Sequence, residues 1–218
     1  MVKDDYIMKI IRQATAVFHQ VLGLVKSDEL DQAEMVIGEA ATEYLGMDWE
    51  AVEGNSAETL ISLLGNNDQA GLGQLVMLAD LLKAQGIIYT TDEDEDSAYV
   101  SFLKALQIRL ELTIGHDLSN AHLDATIDEL VDEHLGDYVL PTPIVQTLFT
   151  YYEKTTQLEQ AEEVLWELVD DHITNNDMVQ QGLEFYERLL QKTDTDLATG
   201  GMTRAEVQSG FDDLWAKT

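Results

Sequence analysis

Cysteine is absent from the 218 residues. That absence excludes disulfides, thiolate nucleophiles and cysteine-ligated metals together. Proline occurs only twice, at Pro141 and Pro143, so nothing breaks helical periodicity before that point. Basic residues are scarce: 12 Lys and Arg stand against 42 Asp and Glu, a formal net charge of −30. Such a surface repels phosphate backbones and has little with which to release counterions from DNA or RNA, so no nucleic-acid partner is expected. It repels anionic membranes too. Long apolar runs are missing, and the opening MVKDDYIMKIIRQ is charged at once, unlike a signal peptide. A cytoplasmic protein without membrane contact is expected.

What the chain has is apolar residues, 45% of the total, recurring along its whole length. That is enough for a core, so the charge does not read as disorder. The recurrence has the helical period and almost never alternates as a strand would. Ile7, Ile10, Ile11, Ala14, Val17, Phe18, Val21 and Leu22 form one stripe. Ser27 or Asp28 is placed to cap a second helix, through Ala33, Ile37 and Ala40, that stops at Gly46. Further helices are predicted from Ser56 (with Leu60, Leu63 and Leu64), from Leu72 and across 98–112. Ser119, Thr142-Pro143, the segment after Thr155-Thr156, the segment after Asn175-Asn176-Asp177 and the capping box Thr203/Glu206 open others. Thr199-Gly200-Gly201 reads as the most flexible loop. The prediction is an all-α chain of about ten helices, in one domain over 1–218, with short connections that make neighbours antiparallel.

Helix pairs call for a repeat test. Gly86, Tyr89, Ala98, Phe102 and Ala105 stand at the spacing at which tetratricopeptide repeats place a glycine, an aromatic, alanine, aromatic and alanine. The segment 79–112 therefore resembles one such repeat, although Leu82 stands where a bulky aromatic is usual and Leu110 where proline is frequent. Weaker copies cover about 14–46, where Val21 replaces the glycine, and 142–174, where Phe149 does. Extra helices between the copies point to an irregular array. The opening YIMKIIRQ, followed by a repeat-like hairpin, also resembles an uncharacterised bacterial family of helical proteins with tetratricopeptide-like segments. That likeness carries no activity with it.

Motifs for chemistry are lacking. The acidic run Asp92–Asp96 would need glycine at Ser97 and glutamate at Leu103 to make a calcium loop, and suits a helix N-terminus better. The histidines His19, His116, His122, His134 and His172 show no i,i+4 pair and no Glu-x-x-His. No phosphate loop or nucleophile elbow occurs, and acid pairs such as Glu162/Glu163 read as solvated. Trp166 reads as core, and Trp215 as either core or a docking residue. No catalytic, cofactor-binding or metal-ligating residue is therefore expected. The favoured reading is a non-enzymatic interaction or scaffold module that takes a basic or amphipathic protein segment in a concave face. The repeat resemblance implies groove positions Asp80, Lys83, Ile87 and Thr90 in the best copy, and Gln146, Thr150 and Glu153 in the third. The alternative is a self-assembling helical protein, for instance a homodimer, with its groove filled internally.

Overall fold

In the computed structural model helix covers 81% of the chain, and no strand occurs among the described residues, which fixes the all-α class. The structure describes residues 2–66, 68–116, 118, 121–171 and 176–217. The chain divides into two compact units, residues 1–139 and 140–218. The sequence reads as one helical domain across this boundary, because no shift in composition marks it.

The first unit holds α1 (Val2–Lys26), α2 (Leu30–Ala40), α3 (Trp49–Glu53), α4 (Ala57–Leu64), α5 (Gln69–Thr91), α6 (Glu95–Ile114) and α7 (Ala121–Glu129). α5 is apolar all round, the composition of a helix with neighbours on every side, and α1, α2, α4 and α6 pack on it. By length and composition α5 could cross a membrane, but its most apolar stretch is 89% buried inside the fold, so it is the core helix of this unit.

A three-residue turn joins α5 to α6. Asp94 caps α6 by accepting the N–H of Ser97, and Glu95 and Asp96 occupy the first turn. There the helix dipole favours acids, as predicted for the acidic run. Gly86 meets Phe102 and Asp80 meets Arg109, so the earlier residue of α5 pairs with the later one of α6 and the helices are antiparallel. A Cβ on Gly86 would lie 2.5 Å from the Phe102 ring. Ala98, Phe102 and Ala105 are buried in this seam. The spacing read from the sequence therefore marks a real close approach.

Several helix limits differ from the sequence reading. Neither Ser27 nor Asp28 caps α2: the Ser27 hydroxyl bonds back to the Gly23 carbonyl, Asp28 takes φ 61, and Glu29 stands at the cap position. α2 runs on as a π-helical turn over Ala41–Leu45 and stops at Gly46 in the left-handed region, φ 68, where glycine is at ease. α7 likewise runs into a π-helical turn, Leu130–His134. Leu63 is 58% exposed and does not belong to the core. α3 is too short to leave a period in the sequence.

The second unit holds α8 (Thr142–Lys154), α9 (Leu158–Asp171), α10 (Asn176–Leu190), α11 (Asp194–Thr199) and α12 (Arg204–Trp215). α8 pairs with α9, and α10 packs on α9 and α12. Pro141, not Thr142, stands at the α8 cap position. Asn176 and Asp177 start α10 instead of preceding it. The Thr203/Glu206 capping box forms in both directions. The expected flexible loop is held at both ends. Thr199 closes the short α11, and the Gly200 carbonyl accepts the N–H groups of Leu158 and Glu159 at 3.0 and 3.1 Å. The predicted start at Ser119, and Asn175 of the predicted separator, lie outside the described residues.

Candidate functional site

Burying a charge is costly unless it is paired. Among the described residues the buried charged side chains are Asp80, Lys83 and Arg109. All three sit on the α5–α6 pair. Arg109 is fully buried and donates to Asp80 across the seam. The second carboxylate oxygen of Asp80 and two nitrogens of Arg109, Nε and Nη1, have no protein partner. One turn further along α5, Lys83 donates to Glu129 of α7, and its ammonium lies 4.8 Å from the centre of the Phe18 ring of α1. His134 stacks on Phe102 at 4.2 Å, with Nε2 3.9 Å from Glu129 Oε1. Burial, and then the Lys83 charge, hold the imidazole below its usual range, against the pull of Glu129 and Glu133. Beside this network, Thr15, Phe18, His19, Asp80, Lys83, Ala125, Thr126 and Glu129 line a half-open cavity of about 200 Å³.

A second concavity, of about 350 Å³, lies where α3 meets the α5–α6 pair. Leu82, Val100 and the Tyr89 ring give it apolar wall, and Glu53 and Asp96 give it acid. The Tyr89 hydroxyl donates to Glu53, and Lys104 Nζ donates to the Glu53 carbonyl at 2.7 Å. Burial, and then Glu53, push the Tyr89 phenol above its ordinary range. The Lys104 ammonium is pushed down by burial. Val100 is 48% exposed, and the residues from Asp92 to Asp96 beside it are all exposed.

The groove positions read from the sequence fare unequally. Asp80 and Lys83 do not face an open groove, because the Arg109 and Glu129 pairings draw them inward and α1 and α7 cover them. Ile87 is half-buried, and Thr90 is exposed with its hydroxyl on the Gly86 carbonyl. Gln146, Thr150 and Glu153 lie in the other unit, on α8. Gln146 Nε2 is 3.4 Å from Met178 Sδ, and Thr150 bonds back to the Gln146 carbonyl. Glu153 accepts both prongs of Arg188 at 2.7 and 2.8 Å. The sequence reading missed Glu53, Glu129 and His134 as site residues. Arg109 falls at helical spacing with Phe102, Ala105, Leu106 and Leu112, and an arginine on such an apolar stripe was the available signal for a buried ion pair.

In the second unit Tyr186 donates to Glu162 at 2.6 Å and accepts from Trp166 Nε1 at 3.0 Å, which ties α9 to α10. Glu162 is half-buried, not solvated as its sequence context suggests, and burial raises its carboxyl above the ordinary glutamate range. A raised acid favours folding while it is protonated, and that contribution fades as pH climbs through the folded-state value. Glu162→Gln keeps the acceptor and removes the charge. Its urea midpoint should therefore exceed that of the wild type by more at pH 7 than at pH 4.5. Parallel midpoint-against-pH curves would count against it.

Among the described residues, no three His, Asp or Glu side chains converge as metal ligands would. No curated protein and no solved structure shows significant similarity to this chain. A family profile does match, from residue 1 to residue 218, so the chain belongs to a family of unknown function, DUF6483.

Proposed function

We propose that this protein is a non-enzymatic interaction module that takes a basic or amphipathic segment of a partner protein in the α3/α5/α6 groove. One observation carries the reading: an apolar wall, with Val100 half exposed, is edged by Asp96 and Glu53 beside an exposed acidic turn. A helix or strand with one apolar and one basic face complements that surface. The tetratricopeptide likeness of the α5–α6 hairpin supports a binding role for the pair. The hairpin is longer than such a unit, which spans about 34 residues, so an irregular relative of the repeat is meant. The proposed setting is the cytoplasm, in keeping with a chain free of cysteine.

The alternative, a self-assembling protein whose repeat groove is filled internally, draws on a different observation. α1 and α7 already cover Asp80 and Lys83, the positions at which a repeat groove would be open. On that reading the mass in solution is a multiple of the chain mass.

The test uses a labelled helical peptide of alternating Leu and Lys faces, with a Leu and Glu peptide as control. The association rate of the basic peptide should fall by roughly tenfold between low and physiological salt, as exposed charges are screened beyond about 8–10 Å. Asp96→Asn with Glu95→Gln should lower the same rate at low salt. A rate indifferent to salt and to these substitutions defeats the reading. Duplex DNA should not compete at physiological salt.

A further inference from the structure

The buried charges do not balance. Among the described residues the fully buried charges are two positive, on Arg109 and Lys83, and one negative, on Asp80, with the Asp128 carboxylate only partly buried, under a surface that is otherwise strongly acidic. Glu129 supplies the missing anion, but its side chain is 37% exposed, so it reaches in from the rim and is poorly desolvated. It is the only hydrogen-bond acceptor of Lys83 among the described residues, which leaves two of the three ammonium N–H groups unused. Below this pair, the cavity between α1, α5 and α7 is walled by the Phe18 ring, Ala125 and aliphatic stems, with the Thr15 hydroxyl and His19 at hand.

We propose that this cavity binds a small monocarboxylic acid, whose carboxylate takes the place of Glu129 on Lys83 while its hydrocarbon body lies against Phe18 and Ala125. Glu129 is then a resident stand-in for the ligand, and it swings to solvent when displaced. The charge count selects a single negative charge. A dianion such as phosphate overcompensates the site and is repelled more strongly by the acidic surface. A cation would face the Lys83 ammonium and have to share Glu129 with it, while the Asp80 carboxylate is held by Arg109. The apolar wall selects a hydrocarbon body over a bare inorganic anion, and the volume suits one ring or a short chain. This site is separate from the α3/α5/α6 groove, so its test stands independently of the interaction reading.

The probe is benzoate, titrated into the full chain by calorimetry and by amide chemical shifts. Benzamide and benzylamine serve as neutral and cationic controls of the same shape. Benzoate should bind the wild type while the controls do not, and shifts should centre on α1, α5 and α7. Glu129→Gln removes the competing charge and should tighten benzoate about tenfold, the worth of one charge-assisted hydrogen bond. Lys83→Met should abolish binding. Should that variant fail to fold, Glu129→Gln and the two controls still decide the matter. No benzoate binding at millimolar concentration to the wild type or to Glu129→Gln overturns the proposal. So does benzamide binding as well as benzoate, which would mark the cavity as merely apolar.

Discussion

Arg109→Ala should cost the first unit about 3–5 kcal/mol, read as a fall in urea midpoint at an unchanged slope. The expectation rests on asymmetry. Arg109 has no exposure, so its own charge and that of Asp80 are both out of water and depend on each other. Removing the arginine leaves the Asp80 carboxylate buried opposite a void. Two of its neighbours worsen the loss, because Leu106 and Leu110 are packed against solvent-free surroundings and cannot admit water cheaply. The companion variant is Asp80→Leu with Arg109→Met. Two apolar side chains of similar volume should recover most of the stability, since a buried pair often contributes little beyond its own mutual need. If the double variant is no more stable than Arg109→Ala, the pair is contributing more than mutual neutralisation, and Arg109 would have to be engaging the core in some further way.

Gly86→Val is expected to be the next most damaging change, at about 2–3 kcal/mol. A Cβ there meets three atoms of the Phe102 ring at 2.5, 2.7 and 2.8 Å, closer than real side chains approach. The ring cannot retreat easily, because His134 is stacked on its face. One substitution therefore presses on α5, on α6 and on the π-helical turn after α7. Phe102→Leu removes the obstructing ring edge, so the pair Gly86→Val/Phe102→Leu should be more stable than the sum of the two single effects predicts. A double-mutant cycle measures that difference, and strict additivity would show that the two residues do not press on each other.

The α5–α6 seam was legible in the sequence because its requirement is local and compositional. A close crossing needs small residues facing a large one, and Gly86, Ala98, Phe102 and Ala105 meet that need at helical spacings. The ion pair was half legible. Arg109 stands on an apolar stripe, yet nothing in one dimension says which helix supplies its counter-charge, and Asp80 was read as facing outward. The α3/α5/α6 groove was not legible at all. Glu53 comes from a helix of five residues, too short to show a period. Glu162 was misread for a related reason: its burial comes from α10 and α12, not from its own acidic neighbourhood. Ser27 and Asp28 were reasonable caps by residue type, but the turn before α2 sends Asp28 to a positive φ and spends Ser27 on the preceding helix.

The Gly200 carbonyl, which receives the first two N–H groups of α9, has a consequence for biosynthesis. A chain made from its N-terminus presents Leu158 long before Gly200 exists. At ~5–20 residues per second, the gap from 158 to 200 amounts to a wait of roughly two to eight seconds. During that wait the start of α9 is uncapped, and the apolar sides of Leu165, Leu168 and Val169 have no α10 or α12 beside them at first. On the ribosome the α8–α9 hairpin therefore waits for α10 to α12, open to holding chaperones until those helices have been added.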